Sequence, residues 1–109
     1  MIIDKIIQRT VYVVDDDSMI RRSLSFYLST IGYAARPFVS GADFLAELPS
    51  LSPGCVILDI RMPDMDGLQV INEMGEFRET FPVIFMTGHG DVAAAVRAVR
   101  FGAYDLLGK

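Results

Sequence analysis

Three short apolar runs in this chain, and a fourth run that contains Asp105, each lead to a residue that can handle phosphate or a metal ion. The residues that follow the runs are Asp15, Asp16 and Asp17, then Asp59, then Thr87, and finally Lys109. Carboxylates, a hydroxyl and an ammonium group gathered at one place would form a site for a divalent cation and a phosphoryl group. Such a site requires a fold that brings these residues together.

The apolar runs themselves predict strands. Continuous runs of about four apolar residues indicate parallel strands that are buried on both faces. The predicted strands comprise residues 11–14, 55–58, 83–86 and 104–107, with a weaker strand at 34–38, where Pro37 suits a sheet edge. Because the carboxyl ends of parallel strands share one edge of a sheet, we expect the candidate residues to meet there.

Helices are predicted between these strands. The first begins at Asp17 or Ser18 and ends at Gly32, and its spacing places five residues on one face: Ile20, Leu24, Tyr27, Leu28 and Ile31. The later helices begin at Ser40 or Gly41 (with Phe44, Leu45 and Leu48 inward), after Gly67 (Leu68, Ile71 and Met74), and at Asp91, the last ending near Gly102. This alternation predicts an α/β fold with a five-stranded parallel sheet and right-handed crossovers.

Composition narrows the class of protein. A chain of 109 residues with 51% hydrophobic residues fits one globular domain. The net charge of −4 argues against direct binding of nucleic acid. The single cysteine, Cys55, is predicted to be a small core residue, and a chain without disulfides suits a reducing cytoplasm. The N-terminal stretch Met1–Ile7 is too short and too charged for a signal peptide, and no apolar segment is long enough to span a bilayer.

The predicted carboxylate cluster has a definite chemistry. Two like charges 4 Å apart repel by about 4 kcal/mol at an effective dielectric near 20, and a bound cation relieves this repulsion. Oxygen ligands favour a hard cation, and Mg²⁺ suits a few carboxylates with waters and a phosphate oxygen. A carboxylate can also act as a nucleophile and form an aspartyl phosphate.

Simpler explanations exist for each residue taken alone. The Asp triplet could merely cap a helix, and a threonine at a strand end is usually structural. The string Asp64–Gly67 has the start of a calcium loop but lacks the later ligands, so a turn is the better interpretation. His89, the only histidine, suits an exposed loop. The joint placement at four strand ends is what favours a site.

With these residues in view, the chain resembles the receiver domain of bacterial two-component response regulators. The acidic pair after the first strand matches Asp15 and Asp16, and the phosphoacceptor motif matches the segment Asp59–Gly67. Thr87 with Gly88 matches the step from a hydroxyl to a small residue, and Lys109 matches the family's lysine. The segments 86–92 and 102–105 are most similar to the FixJ-like regulators. The resemblance implies the flavodoxin-like strand order 2-1-3-4-5.

The resemblance also implies the phosphorylation and metal residues. Asp59 would accept a phosphoryl group from a phosphohistidine on a sensor histidine kinase. Mg²⁺ would be bound by Asp16, by Asp59 and by the backbone carbonyl of Arg61, with Asp15 acting through water. A separate hypothesis is that Arg61 and His89, each two residues beyond a site residue, tune the lifetime of the aspartyl phosphate; the alternative is that both are solvated loop residues.

The remaining implied residues belong to a switch. Thr87 and Lys109 would contact the phosphoryl group, whose charge of about −1.5 to −2 draws Thr87 inward. The switch region would contain Thr87, Gly88 and Leu106 and would change the face formed by the predicted fourth helix and fifth strand. Receivers commonly carry Tyr or Phe where this chain has Leu106; Tyr104 lies two residues away.

The resemblance further implies how the domain works within a larger protein. Residues 1–109 would be one receiver domain that lacks its last helix, without the helix-turn-helix output domain that such regulators usually carry. DNA would be bound only through that absent domain, and no membrane partner is expected. A homodimer would form through the face of the predicted fourth helix and fifth strand, or through the flank left uncovered by the missing helix.

Two other functions share parts of this pattern. A haloacid-dehalogenase-type phosphohydrolase also uses an Asp nucleophile, Mg²⁺, a Thr or Ser and a Lys, but it needs an Asp two residues beyond the nucleophile, where this chain has Arg61. A flavin-binding module of the same topology needs a phosphate-binding loop after the first strand. Here that loop carries three aspartates, which would repel phosphate.

Overall fold

The computed structural model describes residues 10–87 and 105–108. In chain order, the elements of this part are β1 Thr10–Val14, α1 Ser18–Thr30, β2 Ala34–Phe38, α2 Gly41–Glu47, β3 Cys55–Asp59, α3 Gly67–Met74, β4 Val83–Thr87 and β5 Asp105–Gly108. Short 3₁₀ turns at Leu48–Ser50 and Gly75–Glu79 follow α2 and α3. Each strand boundary lies within one residue of its prediction.

The five strands form one parallel sheet in the order β2-β1-β3-β4-β5. This is the order that the resemblance implied. The weak strand β2 lies at an edge and pairs only with β1, placing Pro37 opposite Val13. Asp59, at the end of the central strand β3, pairs with Met86 of β4. Asp59 therefore lies at the carboxyl edge of the sheet, where the strand ends predicted it.

In the described part of the chain, helices pack on both faces of the sheet, as the continuous apolar runs predicted. On one face α2 and α3 pack against alternate strand residues, and the buried members include Tyr12, Val14, Val56, Leu58 and Phe85. On the other face α1 packs through Leu28 against the intervening residues, Val11, Val13, Ile57 and Met86. Burying both faces fixes the register of the strands, because a slip by one residue would exchange the two faces.

The first helix differs from its prediction in which residues it buries. Leu28 is buried and Ile20 and Leu24 are partly buried, but Tyr27 and Ile31 are 60% and 50% exposed. Placing these two residues on the inward face was wrong. Neighbouring helical positions lie about 100° apart, so Tyr27 points away from the side on which Leu28 meets the sheet. Asp17 is the N-cap, and Gly32, with φ of 92°, follows the helix end.

The other two helices bury the residues that their spacing predicted, and one more. Phe44, Leu48, Ile71 and Met74 are buried, and Leu45 and Leu68 are partly buried. The additional residue is Val70, which is fully buried between α3 and α2. Ser40 caps α2 by accepting a hydrogen bond from the backbone N–H of Asp43.

Tyr12 ties the core to the loop before β3. Its hydroxyl donates a 2.6 Å hydrogen bond to the carbonyl of Ser52, and its ring lies about 6 Å from the rings of Phe38, Phe44 and Phe81. Burial raises the pKa of the Tyr12 phenol above 10.0, against the opposing effect of the Arg36 charge. Cys55 is half-buried rather than fully in the core, and burial raises the pKa of its thiol.

Several predicted features lie outside the described residues. They are the segment Met1–Ile7, the helix from Asp91 to Gly102, and the residues Gly88, His89, Tyr104 and Lys109. Within the part of the chain that is described, no helix combines the length and the apolar character that crossing a membrane requires.

Candidate metal and phosphoryl site

Three carboxylates meet at the carboxyl end of the sheet. One oxygen each from Asp15, Asp16 and Asp59 lies within 4.8 Å of the other two. Asp15 and Asp59 are almost completely buried, at 1% and 3% exposure, whereas Asp16 is exposed. The cluster therefore has two buried carboxylates and one that faces solvent, at the place where the sequence predicted it.

The loop after β1 holds the first two carboxylates. The backbone N–H of Asp15 donates to the carbonyl of Phe38 on β2 at 3.2 Å, which continues the sheet pairing by one residue. The side chain of Asp15 accepts from the backbone N–H of Asp17 at 2.9 Å, and the side chain of Asp17 accepts from Met19 to cap α1. The triplet thus has divided roles, since Asp17 caps the helix while Asp15 and Asp16 face the cluster.

Asp59 lies where the central strand ends and the chain turns toward α3. One of its carboxylate oxygens accepts a 3.2 Å hydrogen bond from the backbone N–H of Arg61. The next residue, Ile60, donates its N–H to the carbonyl of Met86 at 3.1 Å, so the backbone beside Asp59 stays attached to β4. These bonds orient a buried carboxylate that is reached from the edge of the sheet.

Gly67 allows the chain to pass close behind Asp59. Its N–H donates to the carbonyl of Ile60 at 2.8 Å. A Cβ atom at position 67 would lie 2.7 Å from the carbonyl oxygen of Asp59 and 2.7 Å from Cε1 of Phe85. The next helix therefore begins in direct contact with the backbone of the candidate nucleophile. Asp66 caps this helix in a capping box with Gln69, so the turn predicted at Asp64–Gly67 leads into a helix start.

The backbone of β4 places Thr87 beside the cluster. Because Asp59 pairs with Met86, Thr87 is the residue one step further toward the carboxyl edge on the adjacent strand. Thr87 pairs in turn with Gly108 of β5, the residue that precedes Lys109 in the sequence. Leu106 pairs with Phe85, further from this edge.

A cleft of about 390 Å³ opens next to the cluster. Asp16 lies on one wall of the cleft. The other lining residues come from the segment around the start of α2, which includes Val39, and from the loop after β3, namely Met62, Pro63, Asp64 and Met65. The exposed carboxylate of Asp16 thus lies on the wall of an open cleft, so a small ion or a phosphoryl donor has a route to the cluster.

The donor set fits a hard divalent cation. All three groups are carboxylates, and oxygens on opposite sides of an octahedral Mg²⁺ lie about 4.2 Å apart. The observed limit of 4.8 Å is close to this span, so small side-chain rotations or one bridging water would complete a shared site. The buried pair also gives a reason for an ion, because neighbouring carboxylates repel strongly away from water. The cluster could therefore bind a metal ion.

Two features of the site had no counterpart in the sequence-based expectations. One is the close contact of Gly67 with Asp59, which the motif signals only as a turn. The other is a hydrogen bond of 2.7 Å from Nη1 of Arg21 to the backbone carbonyl of Asp15. Residues Ile20 to Leu28 have the pattern of an ordinary amphipathic helix, so no signal in the sequence singled out Arg21.

Comparisons with known proteins point in one direction. Residues 11–109 match the family model of the response regulator receiver domain. The transcriptional regulatory protein FixJ of Bradyrhizobium diazoefficiens is 46% identical over 99 residues, which cover 91% of this chain and 48% of that protein. The response regulator protein TmoT of Ectopseudomonas mendocina is 41% identical over 102 residues, covering 94% and 46%.

Solved structures agree. Full-length FixJ from B. japonicum superposes with a TM-score of 0.87 at 44% sequence identity, covering 94% of this chain and 50% of that one. The chain thus spans about half the length of the curated relatives it matches.

Proposed function

The chain belongs to the response regulator receiver domain family, and from that premise we propose that Asp59 is the phosphoacceptor of a two-component signalling module. Receiver domains of this kind partner with histidine kinases and are not classical enzymes. The observation that carries the proposal is the cluster of Asp15, Asp16 and Asp59 at the carboxyl edge of the sheet. Family membership and the carboxylate cluster support the proposal separately, because the positions of the strand ends predict the cluster without reference to any family.

The position of Asp59 supports its role over the other two carboxylates. It ends the central strand β3, so it has the acidic pair of β1 on one side and Thr87 of β4 on the other. Asp15 and Asp16 instead follow β1, which is not next to β4 in the sheet. In the proposed step, a carboxylate oxygen of Asp59 forms a bond to phosphorus while the bond from phosphorus to the kinase histidine nitrogen breaks. With its second ring nitrogen protonated, the histidine leaves as neutral imidazole, so the carboxylate has no proton to supply.

We propose Mg²⁺ as the ion that the cluster binds. Asp16 and Asp59 would be direct ligands together with the backbone carbonyl of Arg61, and Asp15 would act through water. Support comes from the all-oxygen donor set and from the hydrogen bond that keeps the Arg61 backbone at the carboxylate of Asp59. When bound, the ion would neutralise charge on the phosphoryl oxygens, which is the main requirement of phosphoryl transfer.

The response to phosphorylation is proposed on the same basis. Thr87 and Lys109 would contact the phosphoryl group, and Thr87, Gly88 and Leu106 would form the switch region. Backbone pairing of Thr87 with Gly108 supports this arrangement, since it joins β4 and β5 at the edge where the acidic cluster lies. Arg61 and His89 would influence how fast water removes the phosphoryl group.

The wider role is also a proposal. FixJ, one of the matched relatives, is a transcriptional regulatory protein by name, so we propose that the domain, residues 1–109, controls transcription through a DNA-binding output domain outside this sequence. It would act in the cytoplasm, receive phosphate from a sensor histidine kinase, and form a homodimer through the face of β5 and the predicted fourth helix or through an exposed flank of the sheet.

Phosphorylation by a small donor tests the proposal. The chain is incubated with acetyl phosphate, with Mg²⁺ or with EDTA, and intact mass is measured. We expect one added phosphoryl group, which requires Mg²⁺ and is lost in Asp59→Asn. Asp64→Asn is the matched control, because Asp64 is an exposed carboxylate on the same loop. Labelling that persists in Asp59→Asn would overturn the proposal, and steady turnover of generic phosphomonoesters would favour a phosphohydrolase instead.

A further inference from the structure

Arg21 links the first turn of α1 to the loop that carries the acidic pair. Its backbone N–H donates to the carbonyl of Asp17 at 3.1 Å, as a first-turn helical bond should. Its guanidinium turns back along the helix and donates from Nη1 to the backbone carbonyl of Asp15 at 2.7 Å. Hydrogen bonds from a charged donor are shorter and about twice as strong as neutral ones. Arg21 therefore fixes the loop at two points.

The bonded carbonyl lies in a peptide group that matters for the cluster. The carbonyl of Asp15 belongs to the peptide that joins Asp15 to Asp16, so its direction sets where the backbone of Asp16 starts. Asp15 itself is attached on its other side, through its N–H to Phe38 of β2. Asp16 stands between these anchored residues with an exposed side chain. Its carboxylate is the member of the cluster whose position depends most on the loop backbone.

The neighbouring arginine provides an internal comparison. Arg21 is half-buried, and it lines a groove of about 450 Å³ between α1 and β2 with Ser18, Arg22, Ser25, Ala35 and Pro37. Arg22 lies one position further along the helix, borders the same groove and is exposed. The two residues carry the same charge at a similar place on the surface, but Arg21 donates to the acidic loop. Comparing variants of the two arginines therefore separates the effect of the hydrogen bond to Asp15 from the effect of the positive charge.

We infer that Arg21 is a positioning residue for the cation site, because it fixes the Asp15–Asp16 peptide and thereby the ligand oxygen of Asp16. The inference rests on the proposed function, in which the cluster binds Mg²⁺. A guanidinium close to a cation site would by its charge alone weaken cation binding. Removing Arg21 should therefore weaken Mg²⁺ binding if the hydrogen bond matters most, and strengthen it if the charge matters most. The two explanations predict opposite signs.

Residues that orient metal ligands through hydrogen bonds typically contribute 10- to 100-fold to metal affinity. Arg21 acts through the backbone of a ligand residue, so we expect the lower end of that range. Arg21→Met, which keeps most of the aliphatic stem, should raise the Mg²⁺ dissociation constant about tenfold. Arg21→Lys keeps the charge and one donor but not the planar fork, and it should recover part of the loss.

The experiment is a Mg²⁺ titration of the chain followed by the backbone amide NMR shifts of Asp15, Asp16 and Asp17, with urea unfolding of each variant alongside. We expect weaker binding for Arg21→Met, an intermediate value for Arg21→Lys, and a dissociation constant within about twofold of the unchanged chain for Arg22→Met. If Arg21→Met does not fold, Arg21→Lys against Arg22→Lys makes the same comparison.

The outcomes separate this inference from the proposed function. In one outcome, the unchanged chain binds Mg²⁺ and the dissociation constants of Arg21→Met and Arg22→Met are equal. This result would overturn the positioning role and leave the proposed cation site intact. Tighter Mg²⁺ binding by Arg21→Met would also overturn the positioning role, because it would show that the charge of Arg21 has the larger effect on the cation site. If the unchanged chain binds no Mg²⁺ at the cluster, the proposed cation site and the positioning role both fail.

Discussion

Replacing Gly67 by alanine should damage both the fold and the candidate site. The added Cβ would lie 2.7 Å from the carbonyl oxygen of Asp59, 2.7 Å from Cε1 of Phe85 and 2.9 Å from Cα of Ile60, and real Cβ atoms essentially never come within 3.0 Å of such neighbours. Two of these atoms belong to the backbone, and the ring of Phe85 is fully buried. None of them can move without displacing part of the core.

The size of the effect follows from two opposing contributions. Inserting a methyl group into a tightly packed place costs about 1–3 kcal/mol. Alanine favours a helix over glycine by at most about 1 kcal/mol, and by less at the first position. The free energy of unfolding should therefore fall by about 1–2 kcal/mol, which for a domain of this size lowers Tm by about 4–8 °C.

Gly75→Ala is the matched comparison for this substitution. Gly75 follows the same helix, has φ of 56° and ψ of −125°, and a Cβ added there would have no neighbour within 4 Å. Alanine there should cost about 1–3 kcal/mol through backbone strain alone. The two glycines are eight residues apart, about 12 Å along α3, so Gly75 lies away from the cluster. The two variants should lose similar stability for different reasons.

Urea unfolding followed by circular dichroism gives the two free energies, and a Mg²⁺ titration of the folded variants gives the effect on the cluster. We expect Gly67→Ala to weaken Mg²⁺ binding, because it displaces the backbone of Asp59, and Gly75→Ala to leave the dissociation constant unchanged. A Gly67→Ala chain at least as stable as the unchanged one would refute the steric argument. Equal Mg²⁺ constants for both variants would refute the link between Gly67 and the cluster.

Two further predictions concern single hydrogen bonds. Tyr12→Phe should lower the free energy of unfolding by about 1 kcal/mol, because it removes the hydrogen bond to Ser52. Since burial raises the pKa of Tyr12, that stability is present below pH about 10 and lost above it. Urea titrations at rising pH should therefore show a shrinking difference in unfolding free energy between the two chains, and a constant difference would contradict this. Asp66→Ala should cost about 1 kcal/mol by removing the capping box with Gln69, whereas the exposed Asp64→Ala should stay within about 0.5 kcal/mol; equal losses in thermal melts would exclude the cap as the cause.

The strands and the acidic cluster could be predicted because a simple rule governs them. A strand buried on both faces must be apolar throughout, so its end is marked by the first polar residue, as at Asp15 and Asp59. Parallel strands then bring those ends to one edge without further information. The weak strand β2 was also recognisable, because Pro37 is compatible with an edge position.

The helix faces were less predictable because a helix can touch more than one neighbour. The spacing rule assigned Tyr27 and Ile31 to the inward face of α1, yet this helix contacts the sheet along a narrower strip centred on Leu28. In α3 the rule missed Val70, which is buried because α2 lies beside it and Gly41 allows close approach. Periodicity gives the width of an apolar face only when the packing partners are known.

The residues that hold the cluster in place depend on contacts that no local pattern encodes. A glycine after Asp66 suggests a turn that needs positive φ, but the described glycines with positive φ are Gly32 and Gly75. Gly67 is required instead for space, because the start of α3 lies against the backbone of Asp59. Arg21 acts in the same way on the other side of the cluster, through the backbone of Asp15. The oxygens follow from strand ends, whereas their fixed spacing follows from how α1 and α3 approach the sheet, which only the folded chain determines.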